Sequence, residues 1–300
     1  MTDSAPADLI DQLRQTWASV TDVCSTLTPI EWRAPTDCPG WDVRAQVAHL
    51  IGTESMLAGR PTPPFDGPYG DHVHNEIAKF NEAGIASFAE VSDADLLAAF
   101  MAISAERLAA LSSLDQQAWE VVGPTPIGAA PYRRFMEIRV FDSWAHEQDI
   151  RFATNRPGHQ SGPAVERSVD EVIGALGFVV GKRARAPEGS QVRFSLAGLP
   201  SAVGSPANPA VILDPAVILD PAAIPDSPKD VDVVVDGRAR VVPSDSSGTP
   251  TVTVHTDPVT FVRLGCGRIT GAACLADGTV TLSGDTDLGQ RVVGNLAFTV

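Results

Sequence analysis

Residues 139–151 read RVFDSWAHEQDIR. If this segment is helical, one stripe along it contains Arg139, Asp142, His146 and Asp149, because side chains three, four and seven positions apart share a helix face. Asp142 and His146 then stand about 6 Å apart along the axis, and both are metal-binding residue types. A second polar sector of the same predicted helix contains Glu137, Glu147, Gln148 and Arg151. A polar stripe is usually a solvated face, but with two such sectors we expect one to face inward.

The composition is that of a folded globular protein. The chain has 300 residues, of which 44% are hydrophobic and 20% charged, so it is long enough for two domains with apolar cores. Its net charge of -15 and its pI near 4.7 argue against nonspecific binding to nucleic acid or to an anionic membrane, because both need a cationic surface.

The sequence predicts a cytoplasmic protein with reduced thiols. Its first residues, MTDSAPADLIDQL, lack the cationic start and apolar run of a signal peptide, and no stretch approaches the roughly 20 apolar residues of a membrane span. Cys24, Cys38, Cys266 and Cys274 suggest neither a disulfide framework nor a four-thiolate zinc site. Cys38 lies just before a helix start, where a thiolate can be stabilised, although a small buried apolar role is more usual.

In the first half of the chain, apolar residues recur at the three- and four-residue intervals typical of helices. Asp42 is the expected N-cap of a helix that runs to about residue 58, and Ser92 or Asp93 is the expected cap of a later one. The predicted helical segments are residues 7–27, 42–58, 74–89, 92–114 and 132–154. Four principal antiparallel helices form an up-and-down bundle, a fold that builds metal sites from side chains on facing helices.

The second half begins with a predicted helix at residues 163–183 and then alternates between apolar and polar residues. The predicted strands are QVRFSLAG, VDVVVDGRARVV, TVTVHT and GTVTLSG. Short helices are expected in DPVTFVRLGCG and TDLGQRVVGNLA, which makes this half a mixed α+β domain. Between residues 200 and 230 lies a Pro- and Ala-rich segment that contains PAVILD twice, which we interpret as an expanded loop.

His49, in the second predicted helix, is the best candidate for a third metal ligand. A lone histidine at such a position is more often an ordinary core or surface residue, but Asp142 and His146 favour a ligand. Two imidazoles and a carboxylate suit a divalent ion such as zinc and leave an open position, which is typical of catalytic sites. Ala45 and Gly52 on the same face would let a neighbouring helix approach.

The remaining candidates are weaker. Arg139 and Asp149 share the stripe and are the candidate catalytic residues, which would orient an imidazole or neutralise charge; a surface ion pair is the alternative. His72 and His74, in or beside the loop at residues 60–74, could serve as general acid or base, although a solvated loop is the commoner place for such residues. We assign no role to the other two histidines, His159 and His255.

DCPGWDVRAQVAHL and RVFDSWAHEQDIR together resemble the N-terminal metal-binding domain of the mycothiol-dependent maleylpyruvate isomerase family, within the DinB-like superfamily. The resemblance implies a DinB-like four-helix bundle over residues 1–157 with one divalent metal, and it maps the ligands onto His49, Asp142 and His146. The isomerase is expected to have Glu where this chain has Asp142. Residues 158–300 are similar to the smaller sterol-carrier-like α+β domain that often follows this bundle.

The resemblance implies a metal-dependent enzyme that uses the low-molecular-weight thiol mycothiol on a small electrophilic substrate. Two reaction classes stay open, isomerase and S-transferase, because an activated thiolate serves both. A different class is a non-catalytic protein that binds a metal and a ligand, the latter in an apolar groove of the C-terminal domain. A hydrolase is less favoured because no HExxH-type glutamate accompanies the ligands. The protein is expected to be a monomer or homodimer.

Overall fold

The computed structural model describes residues 6–197, 229–244 and 248–299. The chain divides into two compact units, a first that ends at His159 and a second, Gln160–Thr299. The PAVILD repeat, and the predicted loop at residues 200–230 up to residue 228, lie outside the described residues. The predicted fold class is confirmed, because a helical first unit precedes a smaller α+β unit.

The first unit consists of helices that begin at the predicted caps. The Asp42 side chain accepts a hydrogen bond from the Ala45 backbone N–H at 2.8 Å, and Ser92, rather than Asp93, accepts from that of Asp95. The helices are α1 (Pro6–Ser25), α2 (Val43–Leu57), α3 (Glu76–Ala86), α4 (Asp93–Ser112), α5 (Gln116–Trp119) and α6 (Tyr132–Ala153). The stretch that interrupts the helical pattern is a hairpin of β1 (Val122–Thr125) and β2 (Gly128–Pro131).

The core of the bundle is aromatic, with Trp17, Phe100, Trp119 and Trp144 at most 1% exposed. Helix α1 packs against α4 and α6, and α2 packs against α3, α4 and α6. The polar sectors of α6 are both buried, since Arg139 and Asp149 on one are as inaccessible as Glu147 and Gln148 on the other. The helix therefore carries charged groups into the interior on two sides, where only one was expected.

Helices α2 and α3 approach closely at two glycines. A Cβ atom built on Gly52 would lie 3.4 Å from the Cα atom of Gly84. This approach agrees with the expectation that the small residues near His49 admit a neighbouring helix.

The last residues of the first unit are held against α6 by hydrogen bonds. The Trp144 indole N–H donates to the His159 backbone carbonyl at 2.8 Å, and His159 Nδ1 lies 2.7 Å from Glu147 Oε2. Glu147, which is fully buried, also accepts from Ser19 and Arg151, both at 2.6 Å. His159, to which the sequence assigned no role, thus closes a buried polar network two residues beyond the predicted domain boundary.

The second unit packs helices on a mixed sheet. Helix α7 (Pro163–Phe178) continues into a π-helical turn, Val179–Arg183, which completes the helix expected at residues 163–183. The sheet has the order β5-β4-β3-β6-β7, with β3 and β6 parallel and the other neighbours antiparallel. Its strands are β3 (Gln191–Leu196), β4 (Lys229–Asp236), β5 (Arg238–Val242), β6 (Val252–Thr256) and β7 (Thr281–Gly284).

The stretch VDVVVDGRARVV forms a hairpin of two strands. Its turn residue Gly237 has φ +65°, a left-handed conformation that glycine adopts without a steric penalty. The two expected short helices are present, and a third helix lies between them. These helices are α8 (Pro258–Gly265), α9 (Gly271–Asp277) and α10 (Thr286–Val293). No helix among the described residues is both long and apolar enough to cross a membrane.

We predict that Gly52→Leu lowers the free energy of unfolding of the first unit by about 1–3 kcal/mol, because the side chain would collide with the backbone of α3. Gly52→Ala should be neutral or slightly stabilising, since its Cβ makes an ordinary contact and alanine favours the helix. All five tryptophans belong to the first unit, so indole fluorescence during denaturant unfolding reports this unit alone. A Gly52→Leu protein as stable as the parent would contradict the close approach.

We also predict that a fragment ending at His159 folds cooperatively and is more stable than one ending at Pro157. The shorter fragment leaves the Trp144 indole N–H without its acceptor and removes one partner of buried Glu147, which should cost about 1–3 kcal/mol. Urea unfolding followed by circular dichroism compares the two fragments. Equal stability would show that the His159 contacts contribute nothing to the first unit.

Candidate metal centre

Two helices bring three potential metal ligands together. His49 from α2 and Asp142 and His146 from α6 each offer one ligand atom, and these atoms all lie within 4.8 Å of one another. His49 Nε2 lies 3.3 Å from Asp142 Oδ2, and His146 Nε2 lies 3.6 Å from Asp142 Oδ1. Both imidazoles are almost fully buried, whereas the Asp142 side chain is 26% exposed. The cluster is therefore open towards solvent on the side of the carboxylate.

The orientation of His146 is set by polar partners behind it. Its Nδ1 atom lies 2.5 Å from Gln46 Oε1 and 3.4 Å from Asp149 Oδ2. The amide nitrogen of Gln46 donates to the Thr36 hydroxyl at 2.7 Å, which directs the amide oxygen towards His146. Because an amide oxygen and a carboxylate only accept, the proton of neutral His146 belongs on Nδ1. Its Nε2 lone pair then faces the cluster, as metal ligation requires.

His49 is held as a neutral imidazole. Burial lowers its pKa to about 4, against the opposing effect of Asp142, so the ring carries no charge at neutral pH. Its Nδ1 atom is buried and has no hydrogen-bond partner among the described residues. A neutral ring with Nε2 directed at a carboxylate and a second imidazole fits a divalent cation. The donor set, two nitrogens and a carboxylate, is one that zinc accepts.

Asp142 is kept ionised by its surroundings. Burial alone would raise its pKa, but Arg139, His146 and His49 together hold that pKa well below its usual range. The Arg139 Nη1 atom donates to Asp142 Oδ2 at 2.5 Å. Burial works against the charge of Arg139 too, yet the pKa of this guanidinium is raised by Asp142 and Glu54. Both groups therefore stay charged.

The two candidate catalytic residues both lie beside the cluster and are 3% exposed. Arg139 contacts the carboxylate of Asp142, and Asp149 contacts the imidazole of His146. The alternative of a surface ion pair is excluded by their burial.

Sequence reasoning missed the residues that support Arg139. Its Nε atom donates to Glu54 Oε1 at 2.7 Å, and the other oxygen of Glu54 accepts from Arg107 Nε at 3.0 Å. Arg107 in turn donates to the Tyr132 hydroxyl at 2.7 Å. A single carboxylate in the largely apolar helix α2 was the available signal for Glu54.

Trp41 forms one wall of the cluster. Its ring centroid lies 5.0 Å from that of His49 and 5.5 Å from that of His146. The indole N–H donates to Glu82 Oε1 at 2.8 Å, and the same oxygen lies 2.9 Å from His72 Nε2. His72 is thus connected to the candidate ligands through Glu82 and Trp41, and it does not contact them directly as an acid or base in the site would.

Other sequence candidates lie outside the cluster. His74 directly precedes the N-cap of α3, and His255 is on strand β6, where it contacts Ser283. None of the four cysteines forms a disulfide, and all four are buried. Burial raises the pKa of the Cys24 thiol to about 12. Cys38 packs with Trp41, Ala45 and Ile85, as expected of a small apolar residue.

Comparison with known proteins places these features in a family. Among solved structures, the chain is similar to the crystal structure of the mycothiol-dependent maleylpyruvate isomerase, with a TM-score of 0.54 and 15% identity over 94% of each chain. A point mutant of that enzyme gives a TM-score of 0.53 and 16% identity, again over 94% of each chain. At these identities the likeness shows the fold. No curated protein matches the chain.

The family model of the mycothiol maleylpyruvate isomerase N-terminal domain matches residues 13–151, a range that includes all three candidate ligands. This match confirms the resemblance drawn from DCPGWDVRAQVAHL and RVFDSWAHEQDIR. Residues 13–151 of this chain therefore belong to the mycothiol maleylpyruvate isomerase N-terminal domain family.

Proposed function

We propose that this protein is a metal-dependent enzyme that uses mycothiol as its thiol cofactor or co-substrate and acts on a small electrophile, as an isomerase or an S-transferase. The observation that carries the proposal is the cluster of His49, Asp142 and His146, whose ligand atoms lie within 4.8 Å of one another in a domain of this family. Its four cysteines form no disulfide, which suits the reducing cytoplasm that we propose as its location.

The proposed ligands are two imidazoles and one carboxylate, with zinc as the favoured ion. Burial works against the charged form of His146, but Asp142 and Asp149 raise its pKa, so a bound ion would displace a proton from its Nε2 atom. A bound divalent ion would supply the positive charge that lowers the pKa of a thiol and so makes a nucleophile available at neutral pH. Neighbouring residues set the proton position or charge of each proposed ligand before an ion binds. Gln46 and Asp149 hold the proton of His146 on Nδ1, burial keeps His49 neutral, and Arg139 keeps Asp142 ionised.

Arg139 and Asp149 would serve the reaction by fixing the ligands. Their own contacts are to Asp142 and His146, so their expected influence is on the geometry and charge of the site. Trp41 contributes an apolar wall against both imidazoles, which excludes water from that side and leaves access past the partly exposed Asp142.

The two reaction classes differ in the fate of the thiol. In an isomerase the thiolate adds to a cis double bond, rotation occurs about the resulting single bond, and elimination of the thiolate restores the double bond; in an S-transferase the thiol stays on the product. The side-chain length of Asp142 affects which of these two reactions the site would favour. Relative to the Glu expected in the isomerase, Asp is shorter by one methylene, about 1.5 Å of reach. The open coordination position would then be directed differently while the ligand type is kept. A non-catalytic metal- and ligand-binding protein is the alternative function.

We predict that the purified protein binds close to one divalent ion per chain and that His146→Ala and Asp142→Ala each lose most of it. Removing one of three protein ligands leaves a site too poor in donors to compete with chelators. Elemental analysis after dialysis gives the occupancy. Gln148→Ala on the other buried sector of α6 is the control for general damage, and full metal occupancy in His146→Ala would exclude that residue as a ligand.

We further predict that Asp142→Glu still binds metal and changes which electrophile is turned over, whereas Asp142→Ala loses thiol-dependent activity. Thiol consumption is measured with mycothiol and a panel that includes a cis double-bond substrate and simple alkylating electrophiles. Recovery of free thiol after conversion indicates an isomerase, and stoichiometric loss indicates an S-transferase. A metal-loaded parent that consumes or recycles no thiol with any electrophile would favour the non-catalytic alternative.

A further inference from the structure

Glu54 is the most deeply buried acidic group beside the candidate metal centre. Its side chain is 0% exposed and accepts from two guanidinium groups, Arg139 at 2.7 Å and Arg107 at 3.0 Å. A carboxylate in the interior is costly unless it is paired and hydrogen-bonded, and both oxygens of Glu54 are paired in this way. The three residues come from α2, α4 and α6, so Glu54 joins three helices at one point.

The contacts of Arg139 connect Glu54 to the cluster. Arg139 donates from Nε to Glu54 and from Nη1 to Asp142 Oδ2. Because the guanidinium group is planar and rigid, fixing Nε against one carboxylate also fixes the direction in which Nη1 points. The position of Glu54 on α2 thereby determines where Arg139 holds the carboxylate of Asp142 on α6.

Charge compensation gives Glu54 a second effect. A divalent cation at His49, Asp142 and His146 would bind next to the permanent positive charge of Arg139. Glu54 neutralises that charge from the far side, so that Asp142 retains negative charge with which to attract the cation. Without Glu54, Arg139 would keep Asp142 as its carboxylate partner in the described network, and that carboxylate would be drawn more strongly to Arg139.

We propose that Glu54 is a positioning residue of the metal centre, which acts through Arg139 to orient Asp142 and to offset the positive charge beside it. This inference rests on the proposed function in one respect, namely that the cluster binds a divalent ion. It assigns a role to a residue that contacts none of the three ligands directly in the described hydrogen-bond network.

The test compares metal affinity in the full-length parent, Glu54→Gln, Arg139→Lys and the double variant. Zn²⁺ affinity is measured by chelator competition, and the visible absorption of bound Co²⁺ reports ligand geometry. We expect Glu54→Gln to weaken Zn²⁺ binding by roughly 10-fold to 100-fold, the range for partners behind the ligands, and to change the Co²⁺ spectrum. Because Glu54 acts through Arg139, the double variant should bind no more weakly than Arg139→Lys alone.

Glu147→Gln is the matched control, since Glu147 is also a fully buried glutamate paired with an arginine, on the opposite side of α6. We expect it to lower stability while leaving Zn²⁺ affinity and the Co²⁺ spectrum as in the parent. Circular dichroism establishes that each variant is folded; should Glu54→Gln fail to fold, Glu54→Asp, which keeps the charge but shortens the reach, takes its place with the same expected shift in the spectrum.

The outcomes separate this inference from the proposed function. If the parent binds no divalent ion, the proposed metal centre itself is wrong and the inference falls with it. If the parent binds Zn²⁺ but the folded Glu54 variant binds as tightly and with an unchanged Co²⁺ spectrum, the role of Glu54 is refuted while the metal centre stands. Additive losses in the double variant would also overturn it, because they would show that Glu54 does not act through Arg139.

Discussion

The buried charge of Arg139 is the constraint on which the arrangement of the first unit depends. A buried guanidinium needs carboxylate partners, and the structure supplies Glu54 on α2 for Nε and Asp142 on the same helix for Nη1, while Nη2 has no hydrogen-bond partner among the described residues. Glu54 in turn requires Arg107 on α4. The angle and depth at which these helices meet are therefore set by the reach of a few long side chains as well as by the surrounding tryptophans and leucines.

The opposite side of α6 also carries a buried charged group that is paired, but its partners are different. Glu147 is as inaccessible as Glu54, and it is paired with Arg151 and with His159 at the end of the unit. Buried charge on one side of the helix thus orients the cluster of candidate ligands, and buried charge on the other side holds the end of the first unit against the bundle. A helix with polar residues on both sides needs such networks, because unpaired polar atoms in the interior destabilise the fold.

Much of this could be predicted from the sequence, and the failures have physical reasons. The helices are long and periodic, and Asp42 is a strong capping residue, so bounds and caps were close to those observed. The grouping of His49 with Asp142 and His146 followed from ligand chemistry and from the family motifs. Glu54 and Arg107 could not be predicted, because pairing across α2, α4 and α6 depends on helix rotation, which a single sequence does not encode. The hairpin between α5 and α6 escaped detection because its strands have four residues each.

The distribution of the three candidate ligands over two helices has a thermodynamic consequence. Asp142 and His146 are one turn apart on a single helix and keep their spacing as long as that helix is intact, but His49 belongs to α2. An ion held by all three would therefore act as a cross-link whose affinity depends on the packing of α2 against α6. By linkage, every tenfold increase of free ion above its dissociation constant would add about 1.4 kcal/mol to the stability of the folded state. The supply of free ion would then set the equilibrium stability of the bundle, whether or not the ion also serves a reaction.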